Sequence, residues 1–224
     1  MCLDFLKSSI GKKQVVAVTG LLLIFYLIAH LAGNLLIFLG PKAFNFYAQT
    51  MAGLRPGLYA VEAVLLLIFL IHIWFTVLVV LENIRSAGVT RYSVANSKGS
   101  RSWATRLRVY SGLFIFAFVI WHILDFTLID HHGARSIIGQ KSYGLYGVVY
   151  NSFLDPIYSI LYILAMGSVG FHLAHGVQSC LQTFGFNHPQ YSPVIRNAGN
   201  WFGFLIAVGF SSIPIYVMLN GARL

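Results

Sequence analysis

Five apolar stretches, each long enough to cross a lipid bilayer, constrain this chain more than any other feature of its sequence. A membrane-spanning helix needs about 20 mostly apolar residues, a requirement met over residues 15–39, 58–81, 110–129, 157–180 and 202–219. The first stretch is too long for a cleaved signal peptide and lacks a small-residue cleavage site. Because no internal repeat stands out, the sequence predicts one domain over residues 1–224, an all-α integral membrane bundle of five transmembrane helices.

The composition agrees with residence in a membrane. Of the 224 residues, 58% are hydrophobic and only 9% are charged, whereas soluble domains carry about 25% charged residues. This excludes an ordinary soluble enzyme, a nucleic-acid-binding module and a disordered tail. The two cysteines, Cys2 and Cys180, belong to no CxxC or CxxCH motif, so we predict neither a disulfide framework nor covalently attached haem.

Basic residues are distributed unequally between the two sides of the predicted bundle. Ten of the 15 fall on the side of the N-terminus and five on the other side. Because short cytoplasmic loops are rich in Lys and Arg, we predict a multi-pass protein of the inner (cytoplasmic) membrane with its N-terminus inside and its C-terminus outside. The ten are Lys7, Lys12, Lys13, Arg85, Arg91, Lys98, Arg101, Arg106, Arg108 and Arg196.

Four of the predicted spans carry histidine at membrane depth, where ionisable residues are costly and usually mark function. They are His30, His72, His122 and His172, with His175 one turn beyond the last. Neighbouring spans run in opposite directions, so His30 and His122 are expected nearer the outside, and His72 and His172 nearer the cytoplasm. At about 1.5 Å of rise per residue, the two levels are about 15 Å apart.

Two imidazoles at each level suit six-coordinate haem, whose iron takes one imidazole on each axial face. Zinc is the competing metal, but it usually takes four ligands, often with Cys or carboxylate help. A proton relay is the competing interpretation without a metal. Glycines in the spans offer positions where a flat macrocycle can approach, although small residues also let helices pack closely. These glycines are Gly20, Gly33, Gly112, Gly167 and Gly170.

No nucleotide-binding, flavin or cysteine-cluster motif accompanies these histidines. We therefore interpret the chain as a di-haem, quinone-linked membrane anchor whose partner carries the substrate chemistry. The basic side is a candidate docking surface, although its charge also sets topology. Two alternatives remain. One is the di-haem anchor of another quinone-linked enzyme, such as a nitrate reductase or hydrogenase, and the other is a haem-free transporter or anchor whose histidines relay protons.

Several segments, taken together, resemble one family. They are HLAGNL at 30–35 with GPKAFN at 40–45, VE at 61–62 ten residues before His72, YSG at 110–112 before His122, and FHLAHG at 171–176 with QTFG at 182–185. Over most of its length the chain is thereby similar to the cytochrome b membrane subunit of succinate dehydrogenase and fumarate reductase, in the single-polypeptide, five-helix, two-haem class.

The resemblance implies ligation of a distal haem b by His30 and His122 and of a proximal haem b by His72 and His172, with His172 preferred to His175. It implies electron transfer between an iron–sulfur subunit and a membrane quinone, with menaquinone expected, and no succinate or fumarate chemistry in this chain itself. FAD and iron–sulfur clusters would belong to a flavoprotein and an iron–sulfur subunit on the cytoplasmic face. Membrane lipid surrounds such an anchor, and the resemblance also allows a dimer of the whole complex.

Quinone chemistry couples electrons to protons, so a proton-accepting group is expected near the distal haem. Glu62 is the candidate because it is the acidic residue well inside an early span, although the dipole at a helix start also favours a carboxylate. Lys42 and Asn45 are poorer candidates. Asp125 shares a helix face with His122 and is a candidate for the distal haem environment or a proton path.

Two further expectations concern the haem surroundings. In some members of the family this resemblance implies a transmembrane proton route that uses a glutamate two residues before the fourth histidine. The residue at that position here is Gly170, which argues against such a route. Haem propionates need cationic or hydroxyl partners, and Lys13, Arg106 and Arg108 are the basic residues expected to supply them.

Overall fold

The computed structural model describes residues 2–86 and 103–221, which are almost entirely helical. The α-helices of these residues are α1 (Cys2–Lys7), α2 (Ser9–Leu35), α3 (Pro41–Gly53), α4 (Gly57–Ser86), α5 (Trp103–His122), α6 (Gly144–Phe153), α7 (Pro156–Thr183) and α8 (Ser192–Asn220). Short 3-10 segments cover Leu36–Leu39 and Ala134–Ser136, and a π-helical turn covers Ile123–Thr127. Strand β1 (Ile137–Ile138) pairs antiparallel with β2 (Lys141–Ser142).

Five helical segments are long and apolar enough to cross a membrane: α2 with its 3-10 extension, α4, α5 with its π-helical turn, α7 and α8. The predictions of an all-α fold and of five spans are confirmed, and the chain has the build of a multi-pass membrane protein. All five helical segments begin before the apolar stretches that predicted them, whereas the third ends at Thr127, two residues before its predicted end. Helix α2 begins at Ser9, where Ser8 accepts a hydrogen bond from the Gly11 N–H, and α8 begins at Ser192 with a proline in its first turn. Both features are typical of helix starts.

Helix α7 is the most buried of the spans and packs against α2, α5 and α8. Gly199 and Gly203 of α8 form a G-x-x-x-G pattern that lies on Gly170 and Ala174 of α7. A Cβ atom added at Gly203 would lie 2.3 Å from the carbonyl oxygen of Gly170, and one added at Gly199 would lie 2.8 Å from that of Ala174. Small residues allow such close backbone approach between membrane helices, so Gly170 serves helix packing.

One end of the bundle, which we call the capped end, is covered by α3, α6 and the β1–β2 hairpin. Asn45 of α3 joins this layer together, because its Nδ2 donates to the carbonyl oxygen of Tyr143 at 2.7 Å and its Oδ1 accepts from the backbone N–H of Tyr146 at 3.0 Å. Beneath the layer lies a buried cluster made of Ile37, Phe44, Tyr146, Val149, Tyr150, Phe153, Tyr162, Ile213 and Val217. Neither α3 nor α6 was predicted from the apolar stretches, because both helices are shorter than a membrane span.

The opposite end, which we call the basic end, contains the starts of α2, α5 and α8 and the ends of α4 and α7. Lys12 of α2 and Glu82 of α4 form an ion pair there. The other basic residues of this end include Lys13, Arg85, Arg108 and Arg196. Several charges behind the orientation prediction, Arg91, Lys98, Arg101 and Arg223, lie outside the described residues, as does the side chain of Arg106.

Candidate functional site: paired histidines at two levels

His30 of α2 and His122 of α5 lie against each other on the side of the capped end, and we call them the capped-side pair. Their ring centroids are 5.9 Å apart, with the ring planes at 83°. Two imidazoles on opposite faces of one metal ion, each bonded at about 2 Å, have ring centroids about 6 Å apart. The separation of the two rings therefore suits ligation of a single ion.

The capped-side pair is surrounded by aromatic side chains. Tyr26 stacks on His30 at 5.5 Å, Phe210 of α8 lies 5.7 Å from the same ring, and Phe118 stacks on His122 at 5.7 Å. The two imidazoles therefore lie in largely aromatic surroundings.

His72 of α4 lies against α2 at Thr19 and Gly20. Oγ1 of Thr19 is 3.0 Å from Nδ1 of His72. A Cβ atom added at Gly20 would lie 3.2 Å from Cε1 of the imidazole, so the absence of a side chain at this position lets the ring pack on the helix.

His172 of α7 repeats this arrangement against α5, and with His72 it forms what we call the basic-side pair. Oγ of Ser111 is 3.3 Å from Nδ1 of His172, and a Cβ atom added at Gly112 would lie 3.4 Å from its Cε1.

The hydroxyl groups favour one tautomer of the basic-side pair. The Thr19 hydroxyl donates to the carbonyl oxygen of Val15 at 2.7 Å, and the Ser111 hydroxyl donates to that of Arg108 at 3.1 Å. Each hydroxyl oxygen is then left to accept a hydrogen bond from Nδ1–H of its histidine. In this tautomer Nε2 carries the lone pair, and histidines that bind metals commonly donate their other ring N–H in this way.

The two pairs lie at different levels of the bundle, as measured along α2 and along α5. His30 follows Gly20 by ten residues on α2, and His122 follows Gly112 by ten residues on α5. At about 1.5 Å per residue, both helices separate the levels by about 15 Å. This pattern, a hydroxyl residue and a glycine with histidine ten residues later, is a short repeat that the sequence analysis missed. Its signal is readable in Thr19-Gly20 and Ser111-Gly112.

The remaining residues proposed from the sequence lie around these pairs. His175 is half-buried one turn from His172. Gly33 packs on the ring and hydroxyl of Tyr47 rather than on an imidazole, whereas a Cβ atom at Gly167 would meet nothing within 4 Å. Of the five glycines considered, Gly20 and Gly112 are therefore the ones that face the histidines.

Glu62, the candidate for quinone chemistry, precedes His72 by ten residues on α4, which places it at about the depth of the capped-side pair. The side chain of Glu62 is 44% exposed, and its carboxylate lies 3.6 Å from Nη2 of Arg55. The guanidinium group of Arg55 covers the ring of Tyr59. Lys42 and Asn45 line an open groove of about 380 Å³ between α3 and the hairpin. Asn45 is already engaged in its two backbone hydrogen bonds.

Asp125 follows His122 by three residues, within the π-helical turn. Its Oδ1 accepts a hydrogen bond from Nη1 of Arg135 at 2.7 Å, and Nη2 of Arg135 donates to Oγ of Ser152 at 2.5 Å. Neither Arg135 nor Ser152 was identified as a site residue from the sequence, because the loop that carries Arg135 has no periodic pattern and α6, which carries Ser152, is too short to be predicted as a span.

Among residues 2–86 and 103–221, no three His, Cys, Asp or Glu side chains come together as a metal-binding group. No protein-family model, curated protein or solved structure matches the chain, so its function is inferred from its own residues and their geometry.

Proposed function

We propose that the chain is a di-haem cytochrome b that anchors a quinone-linked oxidoreductase in the membrane. The observation that carries the proposal is the arrangement of four imidazoles, one from each of four spanning helices, as pairs at two depths. Haem iron takes one imidazole on each axial face. Two ligands at each level are too few for a zinc site built from protein side chains, which usually has three or four.

The residues fit haem b in their chemistry. His72 and His172 would hold one haem, and their Nε2 atoms carry the free lone pairs. His30 and His122 would hold the other, with Tyr26, Phe118 and Phe210 packed against their rings. Bound haem would supply one-electron redox chemistry, while the chain supplies the axial nitrogens, the apolar surroundings and the groups that orient the rings.

The separation of the levels supports electron transfer across the membrane. Two haems with centres about 15 Å apart along the helices would together occupy much of a hydrocarbon core about 30 Å thick. Haems held by the two histidine pairs would supply one-electron transfer between the basic end and the capped end.

By the positive-inside rule the basic end would face the cytoplasm, with the N-terminus inside and the C-terminus outside. We propose that a flavoprotein subunit and an iron–sulfur subunit dock there and that the complex is a succinate dehydrogenase or fumarate reductase. A membrane quinone, with menaquinone expected, would react near the capped-side pair, where Glu62 is the candidate proton acceptor. Lys13 and Arg108 are the described candidates to pair with haem propionates.

The test of this proposal is a haem count on the purified chain, with its partners present, by the pyridine haemochrome method. Two non-covalent b haems per polypeptide are expected. A chain without haem, produced in cells supplied with haem, would contradict the proposal and favour a proton relay through the histidines.

The choice of partner is tested separately. Quinone-dependent succinate oxidation or fumarate reduction should co-purify with the chain. Nitrate reductase or hydrogenase activity in its place would contradict the proposed partner.

A further inference from the structure

Two buried polar atoms near the capped end lack a hydrogen-bond partner. Within the described part of the chain, Nδ1 of His122 and Oδ2 of Asp125 are the two buried side-chain nitrogen or oxygen atoms of this kind. Buried polar groups are nearly always paired in folded proteins. The two side chains are three residues apart, and the ring of His122 and the guanidinium group of Arg135, which pairs with Asp125, both lie against the ring of Phe126.

The backbone between these residues is not a regular α-helix. Helix α5 ends at His122, and the next five residues, Ile123–Thr127, form a π-helical turn. Single π-helical turns within α-helices occur frequently at functional sites. Because this turn changes the rotation between successive residues, it sets where the carboxylate of Asp125 lies relative to the imidazole.

The carboxylate is held from its other side by groups of the capped end. Arg135 occupies Oδ1 of Asp125 at 2.7 Å and is itself fixed to Oγ of Ser152 on α6 at 2.5 Å. Nδ2 of Asn151 donates to the backbone carbonyl oxygen of Arg135 at 2.8 Å, which ties the same loop to α6. One carboxylate oxygen is thus engaged by the arginine, and the other remains for a donor on α5.

We propose that Asp125 is a positioning residue for His122. When His122 binds the capped-side haem through Nε2, its Nδ1–H donates to Oδ2 of Asp125, and the carboxylate fixes the ring and increases its basicity. A more basic axial ligand favours ferric over ferrous iron, so this haem has a lower reduction potential than it would have with a neutral acceptor. This inference rests on the proposed haem function.

The basic-side pair has a different kind of acceptor. His72 and His172 each face a neutral hydroxyl, from Thr19 and Ser111 respectively, whereas the acceptor proposed for His122 is a carboxylate. The two haems would therefore differ in potential through the charge of the group behind one ligand, with no difference in the axial ligands themselves.

The experiment is a redox titration of the two haems in the purified complex carrying Asp125→Asn. The amide keeps an acceptor but removes the charge, so the reduction equilibrium of the capped-side haem should shift toward ferrous iron by tenfold or more. For one electron, a tenfold shift raises the reduction potential by about 59 mV. The basic-side haem should be unchanged. Glu82→Gln is the matched control, because it neutralises a carboxylate that pairs with Lys12 at the far end of the bundle.

A second variant keeps the inference testable if Asp125→Asn does not assemble. Arg135→Gln removes the cation that offsets the carboxylate and should shift the capped-side haem in the opposite direction, toward ferric iron. Opposite shifts confined to one haem would support the positioning role. Two bound haems with unshifted potentials, or equal shifts of both, would overturn it while leaving the haem proposal intact, and an unmodified chain without haem would overturn both.

Discussion

The hydroxyl of Thr19 lies 3.0 Å from Nδ1 of His72 and joins α2 to α4. The same relationship joins α5 to α7, where Oγ of Ser111 lies 3.3 Å from Nδ1 of His172. In both cases the hydroxyl residue directly precedes a glycine on which the imidazole packs. Two pairs of helices thus use one local arrangement, and each pair contributes one histidine to each level of the bundle.

Alanine substitutions of the four histidines should sort them into the two pairs. His72→Ala and His172→Ala are expected to remove the same haem, and His30→Ala and His122→Ala the other, because each iron takes its two axial ligands from one level. Haem content and redox titration of each variant measure this. His188→Ala, in an exposed segment between α7 and α8, should keep both haems, and loss of one common haem from the His30 and His72 variants would contradict the pairing.

Removing the hydroxyl groups should weaken the basic-side haem selectively. Thr19→Val and Ser111→Ala each leave a ring N–H without its acceptor, and loss of such a partner typically costs 10–100-fold in metal affinity. Haem retention on dilution, followed by absorbance, measures the effect. Thr19→Ser is the control because it keeps the hydroxyl, and loss of the capped-side haem instead would show that the hydroxyls act elsewhere.

A side chain at the α7–α8 crossing should destabilise the bundle. Gly203→Leu would place Cβ 2.3 Å from the carbonyl oxygen of Gly170, and the helices would have to separate. Overpacking of this kind costs about 1–3 kcal/mol or more, and a lowered Tm in detergent would report it. Gly53→Ala, where a Cβ atom meets nothing within 4 Å, should be close to neutral, and an unchanged Tm for Gly203→Leu would argue against this packing.

The amide of Asn45 should be needed for the integrity of the capped end. Asn45→Ala removes the donor to Tyr143 and the acceptor for Tyr146, and leaving such groups unsatisfied costs about 1–3 kcal/mol when they are buried. Faster proteolysis between α5 and α6 is the expected result. Gln49→Ala, an exposed position one turn along α3, is the control, and equal protection of both variants would contradict this role.

The depth of the histidines could be predicted from the sequence because helical rise converts residue number into distance. The position of each histidine within its apolar stretch predicts its level. In the structure, the ten residues from Gly20 to His30 and from Gly112 to His122 give the same separation of about 15 Å. The partners of the rings could not be predicted in this way. Thr19 and His72 are 53 residues apart, and their contact depends on how α2 and α4 are rotated about their axes.

The capped end was beyond prediction for a different reason. Helices α3 and α6 have 13 and 10 residues, which is too short to register as spans. Asp125 was recognised as a neighbour of His122 on one helix face. Its pairing with Arg135, and the anchoring of that arginine to Ser152, arise from a loop whose path is decided by packing against α6.

The sequence by itself determined the number of spanning helices, their alternating direction and the two depths of the histidines, because these follow from apolar length and from the rise of a helix. The tertiary structure decided which faces meet. Helix α4 shows why, since its most apolar window has no buried residue and a helix that is apolar all round carries no amphipathic signal to indicate its contact face. The hydroxyl groups behind His72 and His172, the α7–α8 glycine contact and the Asp125–Arg135 pair all depend on that choice of faces.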